Sequence, residues 1–471
     1  MSSVSAALES SLITSFGVKL LSFIVSILTV RFSSISDFGK ISVQYQLVVS
    51  LPLFLMKEGF RRAAIREQSA LAAKRITTIG VLSTLVLIGL NGIIAVNLYH
   101  ESSLIIFLIS IGLAIETIAE FLLLHQLIVV KNFASRTIAE TWSNFTRSVC
   151  LLIFLFLRFQ VGTAFALAQI VHGLVWFVLL ARGIDRRTLS SLLFAHSSST
   201  FFNANNMVEM TLSAIQKFLL TEGERIVAVS TLNSDEMGQL GLISNLGSIV
   251  LRLLFAPMED IAFTGLAQTK KKNDRLRIIK AIFSIQLTIG LLGVVWGPLV
   301  AHQVVHTLYG YVWSARTDLV FLLKIYCVFL LTCSANGPLE AYYFAVADSR
   351  KVRHSMISQA VAFAFFLLSN VIGKRWIGFS PPLAIVTGNI VAMMMRIMWS
   401  STVFLDFRDF LHLKFRLVLL RVGIGGGITW ILANLINHKT ISIMVISSMG
   451  VATLMSIMRP LRSMLSDAKS A

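Results

Sequence analysis

The sequence predicts an all-α polytopic membrane protein of about 14 transmembrane helices, in two six-helix lobes followed by two C-terminal helices. Three observations predict this. Long apolar stretches alternate with short polar breaks from end to end of the 471 residues. Hydrophobic residues make up 56% of the chain, charged residues only 14%, and the mean hydropathy is +0.79, whereas soluble domains carry about a quarter charged residues. The basic residues fall almost entirely in every second break. A helix needs about 20 apolar residues to cross a bilayer core, and the chain has room for about fourteen such helices.

The predicted spans are 11–31, 41–59, 76–97, 104–124, 138–157, 161–182, 211–231, 238–266, 279–300, 319–346, 355–373, 381–402, 416–436 and 440–458. The first follows a segment, Met1 to Ser11, without the basic region of a cleaved signal peptide, so it reads as a retained helix. The second carries Pro52 and ends in LMKEGFRRA (Leu55 to Ala63). The fourth contains Glu116 and Glu120. The fifth contains Arg147 and the sequon at Asn144, which inside a span is expected to be unused, since glycosylation needs a lumenal loop. The seventh contains LTEGER (Leu220 to Arg225). The eighth reads NLGSIVLRLLFAPMED (Asn245 to Asp260), with Arg252 near its middle and Pro257 kinking its end. The tenth carries Glu340 and the twelfth Arg396. The last two hold Gly423, Gly425, Gly426 and Gly427, which suggest close helix contact. Two connections are longer than the rest, 183–210 and 301–318. The lobes are expected at 1–182 and 211–403, joined by the linker 183–210 and followed by a helix pair at 404–471.

With the N-terminus placed in the cytoplasm, the inside segments hold 26 Lys and Arg and the outside segments 7. This bias puts both termini inside and accounts for the net charge of +18. Basic residues spread over cytoplasmic loops suit anionic headgroups, so no nucleic-acid partner is expected. Cys150, Cys327 and Cys333 lie in or near spans and indicate no disulfide framework. There is no Walker A loop, GxSxG elbow, HExxH or paired CxxC. His302 and His306 are four apart with no nearby carboxylate. The reading is therefore not an enzyme, with no metal and no cofactor, and any transport is passive or coupled to an ion gradient.

Charges inside spans cost at least about 2.5–3.5 kcal/mol and face a cavity or a partner. The basic ones are Lys19, Arg147, Lys217, Arg225, Arg252, Lys324, Arg396 and Arg421. Glu222 and Arg225, three apart, can meet on one helix face, and Glu58 can meet Arg61 or Arg62. Basic residues exceed acidic ones, which suggests an anionic partner, and guanidinium forks bind phosphate well. Arg252, Arg147 and Arg396 are expected as a diphosphate seat, on separate helices in both halves. A faint repeat supports a parallel duplication. Phe54-x3-Glu58 closes the second span and Phe255-x3-Glu259 the eighth, and Glu116 and Glu340 lie in the fourth and tenth.

The stretches LTEGER, NLGSIVLRLLFAPMED, KEGFRRA and ANGPLEAYYFA (Ala335 to Ala345) resemble the signature stretches of the Rft family of endoplasmic-reticulum membrane proteins required for N-glycosylation. That family sits in the superfamily of MATE exporters and bacterial lipid-linked-precursor flippases. The resemblance implies a two-lobed fold and a multi-pass protein of the endoplasmic reticulum. It implies translocation of dolichyl-diphosphate-linked oligosaccharide (five mannose, two N-acetylglucosamine) from the cytosolic to the lumenal leaflet. The motif positions carried over are Glu58, Arg61 and Arg62; Glu222, Gly223, Glu224 and Arg225; Asn245, Arg252, Pro257 and Glu259; and Asn336, Gly337 and Glu340. Expected partners are the polyprenyl-diphosphate glycolipid, membrane lipids and pathway enzymes. Two rival readings stay open: an accessory protein that binds the glycolipid or an enzyme without moving it, and a drug/ion antiporter, against which the basic surplus argues.

Overall fold

The structure is a computed structural model that describes residues 17–18, 20–66, 70–99, 101–130, 133–182, 184, 204–269, 271–346, 349–401, 413–435, 446 and 448–457. The described residues are helical throughout, with short connections and no strand. In chain order the helices are α1 (Leu20–Phe32), α2 (Ile35–Ile65), α3 (Ala70–Tyr99), α4 (Ser103–Ile128), α5 (Phe133–Phe156) and α6 (Val161–Ala181). There follow α7 (Ala204–Thr231), α8 (Ser234–Phe263), α9 (Lys272–Tyr309), α10 (Thr317–Val346), α11 (Ser349–Ile372), α12 (Pro381–Ser401), α13 (Leu413–Leu435) and α14 (Ser448–Ile457). Lys19, most of the expected linker 183–210 and both chain termini lie outside the described residues.

Among the described residues nine helices are long and apolar enough to cross a membrane, namely α2, α3, α4, α6 and α8 to α12. Shorter apolar segments lie in α1, α13 and α14. α5 and α7 are also long helices, but their polar residues set them apart. Leu82, Val86, Leu90 and Ile93 of α3 are exposed and fall on one helical face, as suits a surface solvated by lipid. The chain is a multi-pass helical membrane protein.

Residues 1–238 form one compact unit and residues 239–471 another, the division falling in the first turn of α8. In the first unit, Ser34 caps α2 by accepting the Asp37 N–H at 3.1 Å. α2 then passes through two π-helical turns, Lys40–Tyr45 and Leu55–Phe60, on either side of Pro52. Tyr45, Ile109, Leu113 and Phe165 share a core of α2, α4 and α6. α4 and α6 approach backbone to backbone. A Cβ on Gly112 would come within 2.8 Å of the Gln169 backbone, and one on Gly173 within 2.6 Å of the Gly112 carbonyl. Only glycine permits that spacing.

In the second unit α9 and α10 pack with Gly290 against Ser334 and Gly297 against Cys327. α9 has 38 residues, about 57 Å at the α-helical rise, well beyond the roughly 30 Å of a hydrocarbon core. The sequence reading ended this span at 300 and made 301–318 a loop. The helix instead continues to Tyr309, because 301–309 holds no Gly or Pro, and stops at Gly310 with φ of 93°. His302 and His306 are therefore stacked on a helix face, with ring centroids 6.3 Å apart. Of the four expected contact glycines, a Cβ on Gly425 would meet Thr453 and one on Gly426 would meet Val295, while among the described residues a Cβ on Gly423 or Gly427 would meet no other helix within 4 Å.

Candidate functional site: a buried polar network in the first unit

The Gly112–Gly173 contact sets the site. Glu116 lies one helical turn beyond Gly112, and Gln169 lies one turn before Gly173, so both are carried into the same interface. Glu116 is 2% exposed. It accepts from Lys57 Nζ of α2 at 2.7 Å and from Gln169 Nε2 at 3.2 Å, and His172 Nε2 stands 3.4 Å away. Gln169 Oε1 in turn accepts from the Arg147 guanidinium of α5 at 3.1 Å. A second amide oxygen, Gln46 Oε1 of α2, accepts from the other arm at 3.3 Å. The guanidinium carbon lies 6.0 Å from the centre of the Phe165 ring, within cation–π range.

One turn further along α2 and α4, Arg61 forks onto Glu120, with Nε to Oε2 at 2.8 Å and a second bond from the terminal nitrogen to Oε1. The side chains are 5% and 3% exposed. The Leu55–Phe60 π turn fans successive charges outward to different neighbours. Lys57 goes to α4, whereas Glu58 meets Lys217 Nζ of α7 at 2.7 Å and Arg62 at 2.5 Å. Of the two expected partners for Glu58, Arg62 takes the role, and Arg61 belongs to Glu120. On α7, Arg225 and Glu222 meet at 2.6 Å, as their spacing implies.

The second unit holds a separate cluster. Glu340 of α10 receives both hydrogen bonds of one Arg396 nitrogen, at 2.7 and 2.9 Å, with Asn336 at 2.8 Å and Gln359 of α11 at 3.1 Å. Arg396 is thus committed to a carboxylate. Glu259 of α8 presses against Gly337, where any Cβ would overlap its carboxylate. Arg252 lies exposed in the Val250–Phe255 π turn. Among the described residues no group of three His, Cys, Asp or Glu side chains is placed to hold a metal ion.

Of the three arginines expected as a seat, Arg147 lies in the first unit and Arg252 and Arg396 in the second. Two charged groups act on Arg147 across the site, Glu116, which attracts it, and, more weakly, Arg225, which repels it. Sequence reasoning missed Gln46, Gln169, His172 and Lys57 as members of this site. The signal was available for Gln169, an isolated amide in a strongly apolar stretch, while Lys57 was read as a loop charge.

The chain is thus a multi-pass helical membrane protein of two compact units, with a half-buried guanidinium in the first of them, and solved structures share the fold. The lipid II flippase MurJ in its inward-closed conformation superposes with a TM-score of 0.62 at 12% identity, covering 95% of this chain and 99% of that one. An inward-facing multidrug-resistance MATE family transporter of the MOP superfamily gives 0.56 at 16% identity, covering 82% and 94%. Residues 3–470 match the family described as Rft protein, and the chain belongs to that family.

Relatives named Man(5)GlcNAc(2)-PP-dolichol translocation protein RFT1 include one from Candida glabrata, 30% identical over 203 residues. That match covers 42% of this chain and 36% of the relative. The Saccharomyces cerevisiae protein of the same name is 25% identical over 368 residues, 65% of this chain and 63% of that one. The Mus musculus protein is 25% identical over 411 residues, 76% and 74%. The chain thus spans about a third of the Candida glabrata relative and under two thirds of the Saccharomyces cerevisiae one.

Proposed function

We propose that the protein moves a dolichyl-diphosphate-linked oligosaccharide, of five mannose and two N-acetylglucosamine units, from the cytosolic to the lumenal leaflet of the endoplasmic-reticulum membrane. The names of the relatives support the substrate. Arg147 carries the reading physically. It is a guanidinium on α5, held by two amide oxygens rather than a carboxylate, against α2 and α6, which are long and apolar enough to cross a membrane. A guanidinium with no carboxylate bonded to it is costly in a low-dielectric interior unless an anion relieves it, and a diphosphate matches guanidinium geometry. Arg225 completes the cationic face, with Glu222 orienting it. Both termini and 183–210 are cytoplasmic in this reading, and the connection around 310–316 is lumenal.

The test is reconstitution of the purified full chain into vesicles carrying labelled glycolipid. Leaflet exchange faster than in protein-free vesicles, and slowed by Arg147→Ala, is the expected result. Exchange at the protein-free rate sinks translocation. If glycolipid binding persists in that case, the protein is an accessory of the pathway.

A further inference from the structure

The arginines of the interior differ in one respect. Arg61 is neutralised by Glu120, Arg225 by Glu222 and Arg396 by Glu340. Among the described residues Arg147 has only glutamine oxygens as hydrogen-bond acceptors, Gln169 Oε1 at 3.1 Å and Gln46 Oε1 at 3.3 Å. Glu116 lies just beyond Gln169 but does not touch the arginine. Gln169, fully buried, stands between the two.

The orientation of that amide follows from its neighbours. A carboxylate only accepts and a guanidinium only donates. Gln169 must therefore turn Nε2 to Glu116 and Oε1 to Arg147, and the reverse orientation would set two acceptors and two donors face to face. The Gly112–Gly173 approach of α4 and α6 fixes the backbone that carries it. Gln46 holds the other arm from α2. A guanidinium has five N–H donors, and these two bonds use two of them. Arg147 is thus pinned from two helices, keeps its full charge and retains three donors for a further acceptor. A carboxylate at position 46 or 169 would hold the same geometry while cancelling the charge.

We propose that Gln169 and Gln46 are charge-neutral positioning residues, Gln169 holding Arg147 out of contact with Glu116 and Gln46 bracing its other arm, that keep its guanidinium available for a diphosphate oxyanion. This rests on the reading of the protein as a translocator of a polyprenyl-diphosphate glycan. It adds to that reading the two residues that decide whether the seat is charged. The near-isosteric change from amide to carboxylate is therefore more damaging than loss of the side chain's polar end, an order that a purely structural role does not produce.

The experiment uses the full chain purified in detergent, with farnesyl diphosphate as probe and inorganic pyrophosphate as competitor. Thermal unfolding is followed in parallel. Wild type binds farnesyl diphosphate, and Arg147→Gln abolishes binding. Gln46→Glu, which lies away from Glu116, weakens binding about ten- to a hundredfold, the worth of a hydrogen bond to a charged group, without lowering the unfolding temperature. Gln46→Met weakens it only a few-fold. Gln169→Glu follows Gln46→Glu. If Gln46→Glu binds like wild type while Arg147→Gln does not, the positioning role is overturned and the seat stands. Equal losses in Gln46→Met and Gln46→Glu also overturn it. If wild type binds neither probe, or Arg147→Gln binds like wild type, the seat falls and this proposal with it.

Discussion

Glu340 on α10 and Arg396 on α12 stand 56 residues apart in sequence and share two hydrogen bonds of 2.7 and 2.9 Å. Glu116 on α4 and His172 on α6 have the same separation, and they too face each other, at 3.4 Å. In each unit an acid on one helix meets a base on the second helix after it. The pattern favours the parallel duplication proposed from Glu116 and Glu340, and it adds a difference. One unit uses a permanent cation, whereas the other uses an imidazole backed by Lys57.

The Arg61–Glu120 pair is a structural clamp between α2 and α4. Both charges are out of solvent, so removing one strands the other, at a cost of about 3–5 kcal/mol. Arg61→Ala should lower the thermal midpoint of the purified protein sharply. Replacing the pair together, Arg61→Met with Glu120→Leu, should recover most of the loss. A single variant as stable as wild type would remove the clamp from the account.

Arg225 is paired with Glu222 at 2.6 Å, and the proposed function also gives it a place on the cationic face. Arg225→Ala should fail to support N-glycosylation in cells depleted of the native protein. Arg225→Lys keeps the charge without the fork and should support it partly. Normal glycosylation by Arg225→Ala at normal protein level would show that the residue is dispensable.

Gly112 has no room for a side chain. Gly112→Leu should force α4 from α6, costing at least the roughly 1–3 kcal/mol of an overpacked core, and should break the Gln169–Glu116 contact. Gly89→Leu is the control, because no atom lies within 4 Å of the position a Cβ would take there. Equal thermal midpoints for the two variants would contradict the close approach.

Topology is checked by accessibility. In a background without Cys150, Cys327 and Cys333, all free thiols, single cysteines at Ser198 and at the exposed Tyr311 should label from opposite faces of sealed vesicles. Labelling from one face would refute cytoplasmic placement of 183–210 with a lumenal 310–316 connection.

The helical membrane fold was legible because apolar stretches and breaks are local properties. The edges were less so. The predicted span 41–59 became a helix over Ile35–Ile65, since charged residues at the ends of a helix do not stop it when neighbours pair with them. Lys40 shows this, bonding Glu101 at 2.9 Å. The 301–309 segment reads as polar yet stays helical for want of a breaker. At the site, Glu222–Arg225 was legible because three residues make one helical turn. Arg61–Glu120 and Lys57–Glu116 were not, since each joins α2 to α4 across some 59 positions. Gln169 was visible as an amide in an apolar stretch, but what it stands between, Arg147 and Glu116, is not written in sequence.

The π turn at Leu55–Phe60 bears on which changes in chain length the protein tolerates. It fits one residue more than an α-helical turn into α2, and each residue of a helix rotates the next by about 100°. Deleting a single residue there would restore a regular helix and keep Arg61 and Arg62 facing as they do, but would shift Lys57 and Glu58 within the turn, away from Glu116 and Lys217. A one-residue deletion in this stretch should therefore cost the Lys57–Glu116 and Glu58–Lys217 contacts while sparing the Arg61–Glu120 clamp.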